Sequence, residues 1–404
     1  MPASSFSPIA DSVQRLAAGD GASSPDLLDR LAGLPDPRDH RGRWHPLVCV
    51  LAVALAAVTT GAKSVSAIAE WVDQAPQHVL QALRARRCAW TGRYRAPGRG
   101  CVTRVLAGLN GEALDAVVCA WLADQAFSSP KPKPKRCGVA VDGKSLRGSG
   151  GGNVSMRHLI SAVDHATGVT LAQTDVDSKT NETTRFQALL TGLDLAGSVV
   201  TADALHTVAS HADWLVRVKE AGYIAVVKNN QPQLRTQLKQ LPWAQIPDAW
   251  RGRNTGHGRQ ETRTLKVCTV ADNLGGITFP HARQAIRLIR RRKTGGKPWS
   301  VQTVYAVTNL DPHQTTPGHL AELIRGHWGI ENRSHHVRDT TFDEDRSQIR
   351  TGNAPRAMAT FRNLAIGALR HTGWNNIAAG IRHTGRNWTR PLHLLGLTDK
   401  PDKT

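Results

Sequence analysis

Three stretches of the 404-residue sequence carry side chains with chemistry to offer. The first, "CGVAVDGKSLRGSG", runs apolar into Asp142 and then meets Lys144, Arg147 and a glycine-rich exit. The second, "SVVTAD", runs apolar into Asp203. The third, "RGHWGIENRSHHVRDTTFDEDRSQIR" (Arg325–Arg350), sets Glu331 among histidines and arginines on a helical pattern. Ionised carboxylates are acceptor-only oxygen ligands, suited to a hard cation such as Mg²⁺. In α/β sheets, ligands meet the chain at the carboxyl ends of strands, and that is where Asp142 and Asp203 are expected. An aspartate at a strand exit also serves as a turn former or helix cap, so the two alone leave a metal role and a structural role open.

The elements that must position these acids can be read from the pattern. "CGVAVD" reads as a strand, and "HLISAVD", the turn "HATG" and "VTLAQTDV" as a hairpin. "TTRFQALLTGL" reads as an amphipathic helix, "SVVTAD" as a strand, "ASHADWLVRVKEAG" as a helix ending on Gly222, and "YIAVVK" as a fifth strand. This order predicts an α/β sheet with an antiparallel hairpin at one side. Between about residues 230 and 320, "ETRTLKVCTV", "ARQAIRLIRRRK" and "VQTVYAVTNL" are strand-like, and helix returns from "PGHLAELIRGHW" to about residue 371. Upstream, Pro25–Gln125 is helical in pattern, with "HPLVCVLAVALAAV" as a buried helix and Ser64 or Ser66 capping "SVSAIAEWV". An arginine-rich connector, "RARRCAWTGRYRAPGRG", interrupts these helices, which suit either a small DNA-binding domain or a plain bundle. Residues 1–25 are small, polar and expected to be disordered, and "SSPKPKPKR" (Ser128–Arg136) reads as an extended linker. Residues 372–404 are expected to form a C-terminal tail.

Charge and cysteine usage narrow the class. Lys plus Arg total 52 against 32 Asp plus Glu, a net charge of +20 that favours a polyanionic partner, nucleic acid first. The six cysteines form no C-x-x-C pair, so neither a zinc ribbon nor a disulfide framework is indicated. The N-terminus lacks the pattern of a signal peptide, and the longest apolar run falls short of the ~20 residues that span a bilayer. A cytoplasmic protein with no membrane role is expected.

Taken in order, "AVDGKSLRGS", "TADALHT", "HGRQETR" and "RGHWGIENRSHHVRDTTFDEDRSQIRTGNA" resemble the DDE-type insertion-sequence transposases. The nearest branch is the ISAs family, also called H-repeat-associated proteins. "LPDPRDHRGRWHPL" and "GAKSVSAIAEW" resemble that branch's N-terminal associated domain, so the likeness runs from about residue 25 to residue 371. The resemblance implies a ribonuclease-H-like catalytic domain (137–371) with a β-rich insertion (about 230–320), preceded by a small all-α domain (26–127). It implies that Asp142, Asp203 and Glu331 bind two Mg²⁺ ions, with Mn²⁺ able to substitute. The implied activity is cleavage and strand transfer at terminal inverted repeats into target DNA, by a homodimer or higher oligomer. The stretch between Asp203 and Glu331 is too long for one helical crossover, and the insertion fills it.

Related transposases carry Tyr, Arg, Glu and Lys around the third acid; here Ile324, His327, Glu331 and Arg338 stand at those positions. His327, Glu331 and Arg338 would form one helical stripe, with His335 close by, able to hold phosphate beside the metal. The alternative for Arg338 is an ion pair with an acid such as Asp345. Lys144 and Arg147 either face DNA phosphate or solvate a hairpin. Arg290, Arg291 and Arg292 in "RLIRRRKTGGK" either contact DNA or guard a strand edge. His257 reaches DNA or fixes a loop, and Trp328 reads more as core than as a base-stacking platform. Asp339 and the acids of "FDED" are rivals for the third carboxylate. An inert or domesticated DNA-binding relic and a nuclease without strand transfer remain the alternative functions.

Overall fold

β1 (Gly138–Leu146) is the strand that carries Asp142. The structure, a computed structural model, describes residues 26–127, 136–151, 155–176, 182–256, 258–270 and 276–398. His257 and most of the Pro/Lys linker lie outside them. β1 pairs antiparallel with β2 (Arg157–Asp164), which pairs antiparallel with β3 (Thr170–Val176) through the expected turn. Gly168 sits in that turn at φ +69°, a left-handed conformation that favours glycine. On its other side β1 runs parallel to β4 (Val199–Ala202), and β4 parallel to β5 (Gly222–Val227). The crossover from β3 to β4 carries helix α7 (Glu182–Thr191), and that from β4 to β5 carries α8 (Ala209–Arg217).

The strand-like segments expected in the insertion extend this same sheet. β6 (Trp250–Gly256), β7 (Arg259–Thr269), β8 (Gln284–Thr294) and β9 (Ser300–Thr308) form an antiparallel run after α9 (Pro232–Gln240). β9 pairs antiparallel with β5, giving the order β3-β2-β1-β4-β5-β9-β8-β7-β6. Helix α10 (Pro317–Ile330) comes next, capped by the Thr316 side chain accepting from His319 N, and lies against β1 and β4.

Two expected boundaries move. β1 continues through Asp142 to Leu146 because its antiparallel ladder with β2 persists to Leu146 opposite Arg157. Only the parallel ladder to β4 stops at Val141 opposite Ala202, so Asp142 is an exit residue toward β4 alone. Helix α8 ends at Arg217 rather than Gly222, because Glu220 turns left-handed at φ 50° and Gly222 already opens β5.

Upstream helices are α1 (Leu27–Ala32), α2 (Leu47–Thr59), α3 (Val65–Asp73), α4 (Gln77–Ala82), α5 (Arg99–Gly108) and α6 (Gly111–Phe127). Ser64, not Ser66, caps α3, its side chain accepting from Ala67 N at 3.1 Å. α2 is apolar on all sides and almost wholly buried, as a helix surrounded by others must be. After α10 the chain runs through a π-helical turn into α11 (His336–Thr340) and then α12 (Ala354–His371). α12 is buried from Ala354 to Leu369, packed on α2, α5, α6 and β3, so the upstream helices share one apolar core with the sheet. Residues expected as a tail hold α13 (Ile377–Thr384) and α14 (Arg390–Leu394), whose Ile377, Ile381 and Leu392 join that core. Among the described residues no single helix is long and apolar enough to cross a membrane.

Candidate active site

The β1–β4 register brings the two aspartates together. Val141 opposes Ala202, so Asp142 and Asp203 are the next residues on neighbouring parallel strands. Each is held by its own backbone: Gly143 N donates to Asp142 Oδ1 at 2.9 Å, and Leu205 N donates to Asp203 Oδ1 at 2.7 Å. Burial pushes the Asp142 carboxyl above the ordinary carboxylate range; His335 and His327 pull it back, and the Asp203 charge adds to the rise. His327, on α10, lies beside both aspartates with Nδ1 3.4 Å from Thr201 Oγ1. Burial lowers its pKa, against the pull of Asp142 and Asp203.

Glu331 arrives from the far end of the chain. It begins a π-helical turn, Glu331–His335, inserted between α10 and α11. Such turns occur often at functional sites. His335 Nδ1 is 3.0 Å from Glu331 Oε2 and 3.8 Å from Asp142 Oδ2. The His335 contact holds the Glu331 carboxyl below the usual range. One ligand atom each from Asp142, Glu331 and His335 fit within 4.8 Å of one another. Two carboxylate oxygens beside one imidazole nitrogen form a set of the kind that holds a divalent metal ion.

The sequence comparisons bear on this convergence of acids. The family model described as "Transposase DDE domain" matches residues 133–367, and the model described as "DDE_Tnp_1-associated" matches residues 28–122. The chain belongs to the DDE transposase family. YncI of Escherichia coli O157:H7, which carries a transposase name, is 27% identical over 376 residues, covering 89% of this chain and 90% of that protein. YhhI of Escherichia coli K12, named as an H repeat-associated transposase, is 27% identical over 379 residues, covering 89% and 94%. Among solved structures, the piggyBac transposase synaptic complex with hairpin DNA matches at TM-score 0.40 and 10% identity, over 88% of this chain and 73% of that one.

Several basic residues of this DDE transposase are placed differently from expectation. Arg338 is 1% exposed and paired with Glu344, its Nε donating to Oε2 at 2.8 Å. The extra residue of the π-turn rotates the helix beyond it by about 100°, so Arg338 turns inward and the His327–Glu331–Arg338 stripe does not form. The ion-pair alternative holds, with Glu344 rather than Asp345 as partner. Arg362 donates to the other oxygen of Glu344 at 2.7 Å. Lys144 is also buried, with Nζ donating to Asp339 at 2.7 Å and lying 3.9 Å from Asp345. These pairs engage the rival acids Asp339, Glu344 and Asp345. Arg147 remains 73% exposed, 3.7 Å from Asp345.

In the extended sheet Arg290 pairs with buried Glu261 at 3.2 Å, beside Arg263. Its guanidinium also covers the Trp328 ring, 5.5 Å from the centroid. Arg291 is exposed and Arg292 partly so. Trp328 is 56% exposed, not a core residue, because its α10 position faces away from β1 toward the Arg290 side.

Two groups of residues escape the sequence. His335 is legible there only as a neighbour of Glu331. The second is a buried node behind the aspartates. Glu182 at the start of α7 meets His158 of β2 at 2.5 Å, and His206 Nε2 at 3.4 Å. His158 Nδ1 is 3.0 Å from Ser145 Oγ on β1. Burial opposes the Glu182 charge, but the contacts from His158 and His206 hold its pKa down at about 2. A Cβ on Gly143 would fall 2.5 Å from Glu182 Oε1, so the residue after Asp142 must be bare. His206 ends the short helical turn that Asp203 caps. One carboxylate thus ties together the backbones that carry both aspartates.

Proposed function

We propose that this chain is the DNA transposase of an insertion sequence, cleaving and joining DNA at the element's terminal inverted repeats through Asp142, Asp203 and Glu331. The convergence of Asp142 and Glu331, from elements far apart in sequence, with Asp203 directly after the neighbouring strand β4, is the observation that carries this reading. The strand order β3-β2-β1-β4-β5, with β1–β3 antiparallel and β4 and β5 parallel to β1, supports a ribonuclease-H-like catalytic core. The +20 charge supports DNA as partner.

Asp142, Glu331 and Asp203 would hold the divalent ions, with His335 Nδ1, 3.0 Å from Glu331 Oε2, orienting that carboxylate. Bound there, Mg²⁺ or Mn²⁺ supplies Lewis-acid stabilisation of the charge that builds on the scissile phosphodiester. The chain supplies placement. β1 fixes Asp142 in its antiparallel ladder with β2, opposite Ser161, the cap on Leu205 N fixes Asp203, and the π-turn aims Glu331 at them. His327 lies beside both aspartates, its Nδ1 3.4 Å from Thr201 Oγ1. Arg147 and Arg291 are exposed and Arg292 partly so, on the surface where they can meet phosphate.

Incubating the protein with Mg²⁺ and labelled duplex from the DNA that flanks its gene tests the reading. Cleaved ends joined to a second duplex are expected. Cleavage without joining would point to a nuclease, and DNA binding without cleavage to a relic.

A further inference from the structure

Between α4 and α5 the arginine-rich connector folds into a small hairpin. Cys88 N donates to Arg93 O at 2.8 Å, Arg95 N donates to Arg86 O at 2.9 Å, and Arg87 bridges Tyr94. Gln77 of α4 clamps the base, its Oε1 accepting from Tyr94 N at 2.7 Å and its Nε2 donating to Tyr94 O at 3.3 Å. The tip is tied as well. Gly92 turns at φ +66° and donates to Cys88 O at 2.9 Å, while Arg87 Nε donates to Gly92 O at 2.6 Å. On this anchored tip Trp90 is 97% exposed.

A large ring held bare on an ordered turn calls for a partner, because an isolated indole gains nothing from water. The surroundings specify its charge. Arg86, Arg87, Arg93, Arg95 and Arg99 are exposed, and among the described residues no acid is paired with them. Arg84 is also exposed but pairs with Asp29 at 2.8 Å. At the hairpin's foot a second indole, Trp44, is 47% exposed under the Arg86 guanidinium, 5.0 Å from its ring centroid. Aromatic rings interleaved with unpaired arginines match a phosphate backbone with bases to stack on. Two such hairpins from two copies of the chain would repel each other.

We infer that the Arg86–Arg95 hairpin is a DNA-docking wing, its arginines gripping phosphates while Trp90 stacks against an unpaired base at the end of the bound DNA. This rests on the reading of the chain as a DNA transposase, and assigns a contact outside the acidic site.

The test is fluorescence anisotropy with the full-length protein and a labelled duplex from the DNA flanking the gene that carries a short single-stranded overhang. Chelator is present, so that binding is read without cleavage. Trp90→Ala should weaken binding about tenfold or more, the loss of one stacked base, and leave the dependence of log K on log[salt] unchanged. Trp90→Phe should restore most of the affinity, since it keeps a flat ring. Arg93→Ala with Arg95→Ala should flatten the salt dependence by about 0.9 for each phosphate no longer gripped. Wild-type affinity in Trp90→Ala would overturn the wing while leaving the transposase reading intact. So would a change in sedimentation with DNA affinity unchanged, which would make the hairpin a self-association surface. A wild-type chain that binds no duplex would overturn both.

Discussion

His335 Nδ1 lies 3.0 Å from Glu331 Oε2, across one π-helical turn. The imidazole is buried, so it cannot swing away as a surface histidine would, and it fixes the direction of a carboxylate that is otherwise exposed. Replacing it should loosen that carboxylate. His335→Ala is expected to weaken Mn²⁺ binding about 10–100-fold, the usual effect of losing a ligand's support, read by titration with paramagnetic Mn²⁺. Unchanged Mn²⁺ affinity would remove His335 from the site.

Glu344 is the acid on which two buried guanidiniums depend. Burial opposes its charge, but Arg338 and Arg362 hold its pKa at about 2. A carboxylate depressed in the folded state contributes stability above its unfolded pKa, and that stability is lost as pH falls toward the folded value. Wild-type protein should therefore lose this contribution between about pH 4.5 and pH 2. Glu344→Gln leaves two buried cations uncompensated and should cost about 3–5 kcal/mol at neutral pH. Denaturant unfolding at about pH 7 and about pH 3 checks both, and the variant's deficit should shrink in acid.

The Glu182 node should govern the chemical step more than binding. Glu182→Gln and Gly143→Ala each disturb the packing between β1, β2 and the turn after Asp203. Cleavage by the folded fraction should fall about 100-fold, the scale of a ~1 Å misplacement, with DNA affinity kept. Equal losses of affinity and rate would mean a general loss of fold instead.

In the extended sheet, neighbouring arginines should behave differently. Arg291→Ala with Arg292→Ala should reduce DNA affinity and its salt dependence, because at least one of these side chains is exposed and neither is tied to a buried acid. Arg290→Ala should instead lower the melting temperature, since Glu261 is 4% exposed and loses a partner. Melting curves and anisotropy on the two variants separate the cases.

The legible parts of the sequence are those written in local pattern. Short apolar runs bounded by turn residues mark the five strands of the first half of the sheet, and the Asp142 and Asp203 strands can be identified without their register. The β-rich character of the insertion is also readable, but not its continuation of the same sheet, since the β5–β9 pairing joins segments about eighty residues apart. Arg338 departs from expectation because an α-helical count assumes 3.6 residues per turn throughout, and nothing in "ENRSH" announces a π-turn. Lys144 and Glu182 are opaque for another reason. Their partners, Asp339 and His158 with His206, come from other elements, and an ion pair across the fold leaves no mark on local periodicity.

Asp142, Asp203 and Glu331 are proposed to act together on one phosphodiester. The most direct measurement is Mg²⁺-dependent cleavage of labelled element ends by wild type and by Asp142→Ala, Asp203→Ala and Glu331→Ala, with end binding measured on the same preparations. Each substitution should abolish cleavage and leave binding largely intact. Undiminished cleavage by Asp203→Ala, or by Glu331→Ala, would contradict the three-carboxylate site.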